Sequence, residues 1–451
     1  MTAFRTALLP PIFSAITLLL AFPLLAQTAM TDLLGSDRIE VVPSIRIAVR
    51  PGVESPVLMN AAPNATCFLH AQDDSGRKMM LLADGEGQVR FYINAHREFS
   101  EAPRLELDCT TADSKQITYP AEVSASAVAP EPSVDARTEK LPEAARMTEP
   151  LAADDARSLS STELAKLGFP PRPDEASSPG NFTKWLNIVT RPHIQVQASQ
   201  IARTDIPRPQ SGVTNGTESH ATWSGYELRG RAGTYNAVMG SWSVPSVSCK
   251  PTSGSLCFNA LFVGLDGDGT ADLLQAGTEQ EAFTYHNYTL TDYYFFNEVM
   301  PNQGLGQEIG HFPVAPSDTV FSEVWVGDSF GNPNNNGGYE WIFLLNEKTN
   351  QMYETSVPLK GTKFLGKEAE WILERPTETN GTPYMLASYG LAVINEATAL
   401  SETGVATNYS ASNDINLLMV NDYKVYHDNN PLSVAMYLDP TSMVFFWLNF
   451  H

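Results

Sequence analysis

Apolar and polar positions alternate in short runs from about residue 217 to the C-terminus. Runs such as NALFVGLDG (259–267), TVFSEVWVGD (319–328) and YEWIFLLNE (339–347) are rich in Val, Phe, Trp and Tyr, and Gly, Asn or Asp follows them. A period of two with frequent turn residues is typical of short antiparallel strands. The pattern predicts that residues 217–451 form one all-β domain, an antiparallel β-sandwich.

The N-terminal half is less uniform. Strand-like runs such as QVRFYINA (88–95) predict a small β-sandwich-like domain over residues 30–123. Residues 124–157 contain much Ala, Pro, Glu and Asp and no aromatic residue, which predicts a linker. Residues 158–216 combine a capped helical turn at 160–167, the stretch PPRP and an aromatic pair, and we expect this segment to be largely irregular.

The first 29 residues are typical of a secretory signal peptide. Arg5 precedes the apolar run IFSAITLLLAFPLL, and Ala26 or Ala29 suits the position before a cleavage point. An uncleaved anchor is the alternative, although Pro10, Pro11 and Pro23 break the apolar N-terminal stretch and the run is short for a membrane span. We therefore expect a secreted protein, extracellular or periplasmic, that is not held in a membrane after cleavage.

The charge excludes some partners and is distributed unevenly. The net charge is −22, which argues against nucleic acid or an anionic membrane as a partner. Residues 217–451 carry 26 Asp and Glu against 9 Lys and Arg. Such a domain repels itself at neutral pH, and protonation of its carboxylates relieves that repulsion. The composition is therefore compatible with work in acid.

Four cysteines in an exported chain predict two disulfides. Cys67 and Cys109 lie in the first region, and Cys249 and Cys257 bracket the short loop CKPTSGSLC. We favour the pairs Cys67–Cys109 and Cys249–Cys257, one in each region, although four cysteines allow three pairings. No CxxC motif accompanies them, so we expect no metal site.

The stretch KEAEWILERP (367–376) has an unusual strand pattern. Glu368, Glu370, Ile372 and Glu374 alternate with Ala369, Trp371 and Leu373, so three carboxylates share one face. A solvated outer face is the simple interpretation, and a functional groove is the other. In a second unusual stretch, ADLLQAG (271–277), Gln275 follows two leucines within a strand; it is either an edge residue with its amide in water or a buried amide that needs partners.

Five motifs in order resemble those of the glutamic peptidases (eqolisins), acid-acting proteases with a Gln–Glu pair on a concanavalin-like β-sandwich whose bent sheets form a groove. They are TWSGYEL (222–228), GSWSVPSV (240–247), FVGLDGDGTADLLQAG (262–277), FFNEVMP (295–301) and EAEWILE (368–374). The resemblance covers about residues 217–451 and implies that Gln275 and Glu370 are the catalytic pair.

The same resemblance implies a supporting set of residues. Trp223, Asp266 and Glu298 match family positions near the catalytic pair, whereas a core Trp, a turn-capping Asp and an exposed Glu are the structural alternatives. Phe262 stands where the family usually has Trp, and Val299 and Met300 replace a Trp-Tyr pair. Phe262 and Met300 are therefore expected in the walls of the substrate groove, and Glu374 beside the pair.

The expected activity is endopeptidase cleavage of polypeptides by a monomer, without cofactor or metal. Glu370 would take a proton from water, and Gln275 would stabilise the tetrahedral intermediate. Two alternatives remain from the residues alone. One is a β-sandwich glycoside hydrolase that uses paired glutamates, and the other is a carbohydrate-binding module without catalysis.

A precursor that processes itself is also expected. Residues 158–216 would inhibit the enzyme as a pro-segment that lies in its own groove, with PPRP extended across the site. Lys184 and other cations of the segment would pair with Glu368 and Glu374 at neutral pH and lose these partners in acid, as carboxylates with pKa values near 4 become protonated. A plain domain linker is the alternative.

Overall fold

The structure, a computed structural model, describes residues 40–41, 44–96, 103–125, 145–202, 216–249, 255–286, 288–303, 306–360, 364–377, 381–408, 414–421 and 429–448. The expected signal peptide (1–29) and residues 126–144 of the expected linker lie outside the described residues, so both remain predictions. None of the described helices has the length and apolar character needed to cross a membrane.

The N-terminal region folds into strands that alternate buried and exposed positions. In β7, for example, Leu105, Leu107 and Cys109 point inward and their neighbours do not. One sheet has the order β1-β8-β7-β4-β5, with β2 also pairing with β8. The strands are β1 (Glu40–Val41), β2 (Ile45–Val49), β3 (Glu54–Asn60), β4 (Thr66–Ala71), β5 (Asp74–Leu82), β6 (Gln88–Ala95), β7 (Arg104–Thr110) and β8 (Gln116–Ala125).

The described residues of the C-terminal region form seventeen strands. They are β12 (Gly216–His220), β13 (Trp223–Arg229), β14 (Ala237–Ser243), β15 (Ser255–Asp266), β16 (Leu273–Tyr285), β17 (Tyr288–Met300), β18 (Gln307–Pro313), β19 (Thr319–Gly327), β20 (Tyr339–Asn346), β21 (Gln351–Pro358), β22 (Glu368–Glu374), β23 (Met385–Leu386), β24 (Leu391–Leu400), β25 (Ala406–Thr407), β26 (Asp414–Val420), β27 (Pro431–Asp439) and β28 (Ser442–Trp447).

Two long stretches of this pairing form the sandwich. The first sheet has the order β18-β17-β16-β15-β22-β13-β26, and the second has the order β21-β20-β19-β14-β24-β28-β27. These pairs are all antiparallel. Residues of both sheets, among them Val263, Leu274, Trp371 and Val324, share one buried apolar cluster. The predicted all-β antiparallel sandwich is thus confirmed.

The N-terminal strands are continuous with the sandwich rather than separate from it. Strands β3 and β6 form an antiparallel pair, and β6 pairs with the first residues of β17 from Tyr288 to Thr291. The apolar cluster of the N-terminal region also contains Phe283, Tyr285 and Leu290, which belong to the long β16–β17 hairpin. The two regions therefore share a core.

Between these regions, residues 145–202 form three helices and three short strands. They are β9 (Arg146–Met147), α1 (Ala153–Ser158), α2 (Ser161–Lys166), α3 (Pro179–Val189), β10 (Ile194–Gln195) and β11 (Ser199–Ala202). The predicted capped turn at 160–167 is confirmed as α2. Ser160 Oγ accepts from the Glu163 N–H, and Glu163 Oε2 accepts from the Ser160 N–H at 2.8 Å, so each side chain satisfies a backbone donor of the first turn.

Helix α3 packs on the outer face of the second sheet. Phe182 and Trp185 share a cluster with Trp325 and Phe343. The Trp185 indole N–H donates to the carbonyl of Pro170, so the PPRP stretch lies beside α3. Our prediction that PPRP crosses the groove is wrong. The aromatic side chains beside this stretch bury their apolar surface against the second sheet instead.

The cations of this segment also bind elsewhere than predicted. Lys184 Nζ lies 2.7 Å from Glu347 and 3.3 Å from Glu396, not beside Glu368 or Glu374. Both predicted disulfides, Cys67–Cys109 and Cys249–Cys257, are confirmed.

Candidate active site

One row of directly paired residues crosses five strands of the first sheet. Glu227 on β13 pairs with Glu370 on β22, which pairs with Gly264 on β15. Gly264 pairs with Gln275 on β16, which pairs with Glu298 on β17. Directly paired residues project to the same face of a sheet. Four polar side chains therefore share the face that points away from the core between the sheets.

Strand β22 has the two faces that its sequence predicts. Ala369, Trp371 and Leu373 belong to the core between the sheets, whereas Ile372 belongs to a cluster on the opposite face. The carboxylates of that face are nevertheless not solvated, because Glu370 is 0% exposed and Glu374 is 1% exposed. The simple interpretation of a solvated outer face is wrong.

Gly264 makes room for Glu370. A Cβ atom at this position would lie 2.4 Å from Glu370 Oε1 and 3.0 Å from its Cγ, closer than atoms can approach. The Glu370 carboxyl group therefore extends over strand β15, in the direction of Gln275. Neither of its oxygens has a hydrogen-bond partner among the described residues.

Glu298 fixes the orientation of Gln275. Gln275 Nε2 donates to Glu298 Oε2 at 2.8 Å, and both side chains are buried. Gln275 Oε1 has no partner among the described residues. Two strand intervals separate the backbones of Gln275 and Glu370, which is about 10 Å, and only Gly264 stands between them.

The electrostatics of the row favour protonated carboxyl groups. Burial raises the pKa of Glu370 well above its usual range, and the nearby carboxylates of Glu227 and Glu368 raise it further. Burial, with the charges of Glu227 and Asp266, raises the pKa of Glu368 to about 9. Desolvation and like charges both disfavour ionisation, so these groups hold protons at pH values where an exposed glutamate has lost its own.

Trp223 and Glu374 lie on the same face, two rows from Glu370. The Trp223 ring stacks on His220 at 5.4 Å and meets the Phe262 ring edge-on at 6.1 Å. Burial and the charge of Glu298 raise the pKa of Glu374 well above its usual range, and Trp223 acts in the opposite direction. Phe262 also packs edge-on against Phe296, so the rings of Trp223, Phe262 and Phe296 form an aromatic cluster beside the row.

Asp266 supports the start of strand β22. Its two carboxylate oxygens accept from the backbone N–H groups of Gly366 and Lys367, each at 2.7 Å, and of Glu368 at 3.1 Å. Its φ of 58° lies in the left-handed region, where an Asp is tolerated better than most residues. Asp266 thus holds in place the backbone that leads to Glu370. Burial and the charge of Asp272 raise its pKa to about 7, against the effect of these hydrogen bonds.

Met300 lies at the end of β17, two residues beyond Glu298 on the same strand face, and pairs with Leu273. It is half-buried, whereas Phe262 is fully buried. Met300 is the more accessible of the two expected wall residues.

Glu227 and Arg229 were not predicted from the sequence. Arg229 binds Glu227 through two parallel contacts of 3.0 Å each, and it also binds Glu218 and Asp268. Residues two positions apart on a strand share a face, so the spacing of this Glu and Arg on the strand that begins at Trp223 could have predicted an ion pair. Their position beside Glu370 depends on the pairing of β13 with β22, which the sequence does not specify.

One cluster of possible metal ligands lies elsewhere, in the N-terminal region. The side chains of His70, Glu106 and Asp108 approach within 4.8 Å of one another. Asp108 already accepts from Lys78 and contacts His70, each at 2.9 Å. The lysine ammonium group supplies the positive charge there.

Comparisons with known proteins match the part of the chain that contains this row. Residues 221–431 match the model of the Peptidase A4 family. A search of curated proteins gave no match. Among solved structures, the chain is similar to scytalido-glutamic peptidase with a transition state analog inhibitor, at 18% identity over 51% of this chain and 99% of that chain, with a TM-score of 0.40.

Two other solved structures are also similar to this chain. One is SCP-B, a member of the Eqolisin family of peptidases, in a complex with the tripeptide Ala-Ile-His, at 16% identity over 51% of this chain and 99% of that chain, with a TM-score of 0.38. The other is aspergilloglutamic peptidase from Aspergillus niger, at 18% identity over 43% of this chain and 99% of that chain, with a TM-score of 0.33. We base the function on the family match.

Proposed function

We propose that Glu370 and Gln275 are the catalytic pair of this chain, which is a hydrolase of the glutamic endopeptidase type because residues 221–431 match the model of the Peptidase A4 family. One observation carries this assignment. Glu370 and the amide oxygen of Gln275 are buried without partners among the described residues, and only Gly264 separates them. A buried polar atom without a partner costs about 1–3 kcal/mol. A peptide carbonyl and a water molecule over Gly264 would satisfy these atoms.

Glu370 activates the water molecule in this proposal. Its carboxylate removes one proton from water while the water oxygen forms a bond to the carbonyl carbon, and the carbonyl π electrons move to the oxygen. Glu370 then donates that proton to the nitrogen of the departing amine as the C–N bond breaks. One side chain thus acts first as general base and then as general acid.

Gln275 stabilises the charge that develops on the carbonyl oxygen. Its NH₂ group has two hydrogens, and Glu298 accepts one of them. The other hydrogen is available to the oxyanion, a contact worth about 3–4 kcal/mol in oxyanion holes. The amide oxygen of Gln275 can accept a hydrogen bond from the attacking water and orient it.

The raised pKa of Glu370 determines the direction of the pH dependence. The base must be ionised, so the reaction gains speed as pH rises through the pKa of Glu370. Burial is the largest cause of the upward shift, and the entry of water and substrate reduces it. We therefore expect a working range in acid whose rising limb lies above that of an ordinary glutamate.

Variants of the pair test this function. Glu370→Gln and Gln275→Ala should release no peptides from a denatured protein substrate at pH 3–6. Glu323→Gln is the matched control, because Glu323 is equally buried but lies on the second sheet, and it should keep its activity. Wild-type activity in Glu370→Gln would reject the assignment.

The family match decides against the glycoside hydrolase and carbohydrate-binding alternatives. The same variants separate these classes, since a glycosidase or binding module would retain its activity or binding in Gln275→Ala. Assays with soluble β-glucans beside the protein substrate complete the comparison.

We also propose that the protein is exported and processes itself. The apolar N-terminal sequence supports export, and the full burial of Glu370 and Gln275 in the intact chain supports a closed precursor. N-terminal sequencing after incubation at pH 3–4 should find a new start between Ile194 and Ala221. The new start should not form in Glu370→Gln. An active protein of full length would contradict self-processing.

A further inference from the structure

Glu227 faces the proposed base, Glu370, from the neighbouring strand. Glu227 and Glu370 are directly paired across β13 and β22, and both are 0% exposed. The side chains of directly paired residues on one face have Cβ atoms about 4.5–5.5 Å apart. Two carboxyl groups at that separation in a dry environment cannot both ionise without strong repulsion.

Arg229 determines which of the two groups carries a charge. It holds both oxygens of Glu227 with contacts of 3.0 Å, a bidentate geometry that favours the carboxylate form. Glu370 has no such cation, and both of its oxygens lack partners among the described residues. Of the two groups, Glu227 therefore ionises first, and Glu370 keeps its proton to higher pH.

We propose that Glu227 is a positioning residue that sets the pH range over which Glu370 exchanges its proton. The inference rests on the proposed function, because it concerns the same base. Once Glu227 is ionised, its negative charge opposes ionisation of Glu370 and so moves the rising limb of activity to higher pH.

Other charged groups surround Glu227, and their positions determine suitable controls. Burial raises the pKa of Glu227 to about 8, Arg229 opposes this shift and Asp268 adds to it. Glu218 binds Arg229 at 3.1 Å but does not lie opposite Glu370. The charged and titratable groups on the elements around Glu227 are Glu218 and His220 on β12, Tyr226 and Arg229 on β13, Asp268 after β15, Glu368, Glu370 and Glu374 on β22, and Asp414 on β26.

The first experiment compares pH–activity profiles of three variants. Glu227→Gln keeps the size of the side chain and an acceptor for Arg229 but removes the charge, and its rising limb should move down by about one pH unit. Glu227→Asp keeps the charge and should stay near the wild-type profile. Glu218→Gln removes a different partner of Arg229 and should leave the limb in place.

Two results overturn the inference. One is a Glu227→Gln profile that superimposes on wild type, and the other is an equal shift in Glu218→Gln, which would make the effect a general one of the Arg229 cluster. Activity in Glu370→Gln would instead reject the proposed function itself, so the two failures are distinguishable.

A second experiment does not depend on whether Glu227→Gln folds. In a coupled pair the group that ionises first titrates beside a neutral partner, and the second group titrates beside a charge. Carboxyl NMR titration of ¹³C-Glu-labelled wild type should therefore show that Glu227 ionises at a lower pH than Glu370, with the resonance of Glu370 assigned by its absence from Glu370→Gln. Ionisation of Glu370 before Glu227 would overturn the inference.

Discussion

Glu298 Oε2 accepts a hydrogen bond of 2.8 Å from Gln275 Nε2, and both side chains are buried on the same face of the first sheet. The two residues are directly paired on β16 and β17. Glu298 consequently occupies one of the two hydrogens of the Gln275 amide and fixes the direction of the other. The alternative of an exposed strand side chain at Glu298 is wrong.

Removal of this acceptor should weaken catalysis more than binding. Glu298→Leu frees the Gln275 amide to rotate, and a misplaced group in an active site can cost about 100-fold in rate. We expect kcat to fall by about that factor with little change in KM. Glu298→Gln retains an acceptor oxygen and should recover most of the activity. Equal activity in the Leu and Gln variants would contradict the role of Glu298.

A methyl group at position 264 should displace Glu370. The Cβ of Gly264→Ala would lie 2.4 Å from Glu370 Oε1, so the carboxyl group must move away from Gln275. We expect proteolysis to fall at least 100-fold while the far-ultraviolet circular dichroism stays unchanged. Gly180→Ala is the control, since nothing lies within 4 Å of its added Cβ. Full activity of Gly264→Ala would show that Glu370 does not need this space.

Asp266 should act through the structure of β22. Asp266→Ala removes the acceptor for three backbone N–H groups at the start of the strand, which costs about 1–3 kcal/mol for each buried donor left without a partner. We expect a lower urea midpoint and lower activity across pH 2–6. Asp266→Asn keeps one acceptor oxygen, so its urea midpoint and activity should lie between those of wild type and Asp266→Ala. Wild-type stability and activity in Asp266→Ala would reject this role.

Stability should decline as pH rises, and Glu323 provides the test. It is fully buried between Met239 and Phe343, and burial alone raises its pKa well above the usual range. A raised pKa in the folded state means that its contribution is fully present below the unfolded pKa and is lost as pH rises through the folded pKa. Glu323→Met should therefore stabilise the protein by about 1–3 kcal/mol in acid and by more at neutral pH.

Urea unfolding of wild type and Glu323→Met between pH 4 and pH 8 measures this difference. The two stability curves should diverge as pH rises. Parallel curves would show that the environment of Glu323 does not penalise its charge. Glu402→Met, at an exposed position, is the control for the loss of one carboxylate.

The segment that contains α1, α2 and α3 should remain bound to the second sheet after the chain is cleaved in acid. Phe182 and Trp185 are buried against the second sheet, and burial of such side chains stabilises by about 1.5–3 kcal/mol each. Protonated Glu323 lies on the same outer face of the second sheet, so acid favours this contact. Gel filtration at pH 4 should therefore elute both pieces together, and Trp185→Ala should separate them. Release of the wild-type segment in acid would contradict this prediction.

The sequence by itself determined the local elements and the residue types of the site. Alternation of apolar positions specified the strands and the two faces of β22, because a period of two leaves one face apolar. The motif order around Gln275 and Glu370 specified the family. The disulfides also followed from the sequence, since each region contains one pair of cysteines.

Only the tertiary structure decided which strands are neighbours. The pairing of β13 with β22 brings Glu227 beside Glu370, although 143 residues separate them in the chain. The pairing of β6 with β17 joins the N-terminal region to the sandwich, and the docking of α3 places the PPRP stretch away from the face that carries Glu370. Long-range pairing depends on the burial of whole apolar faces, and no local pattern encodes which distant face provides the partner.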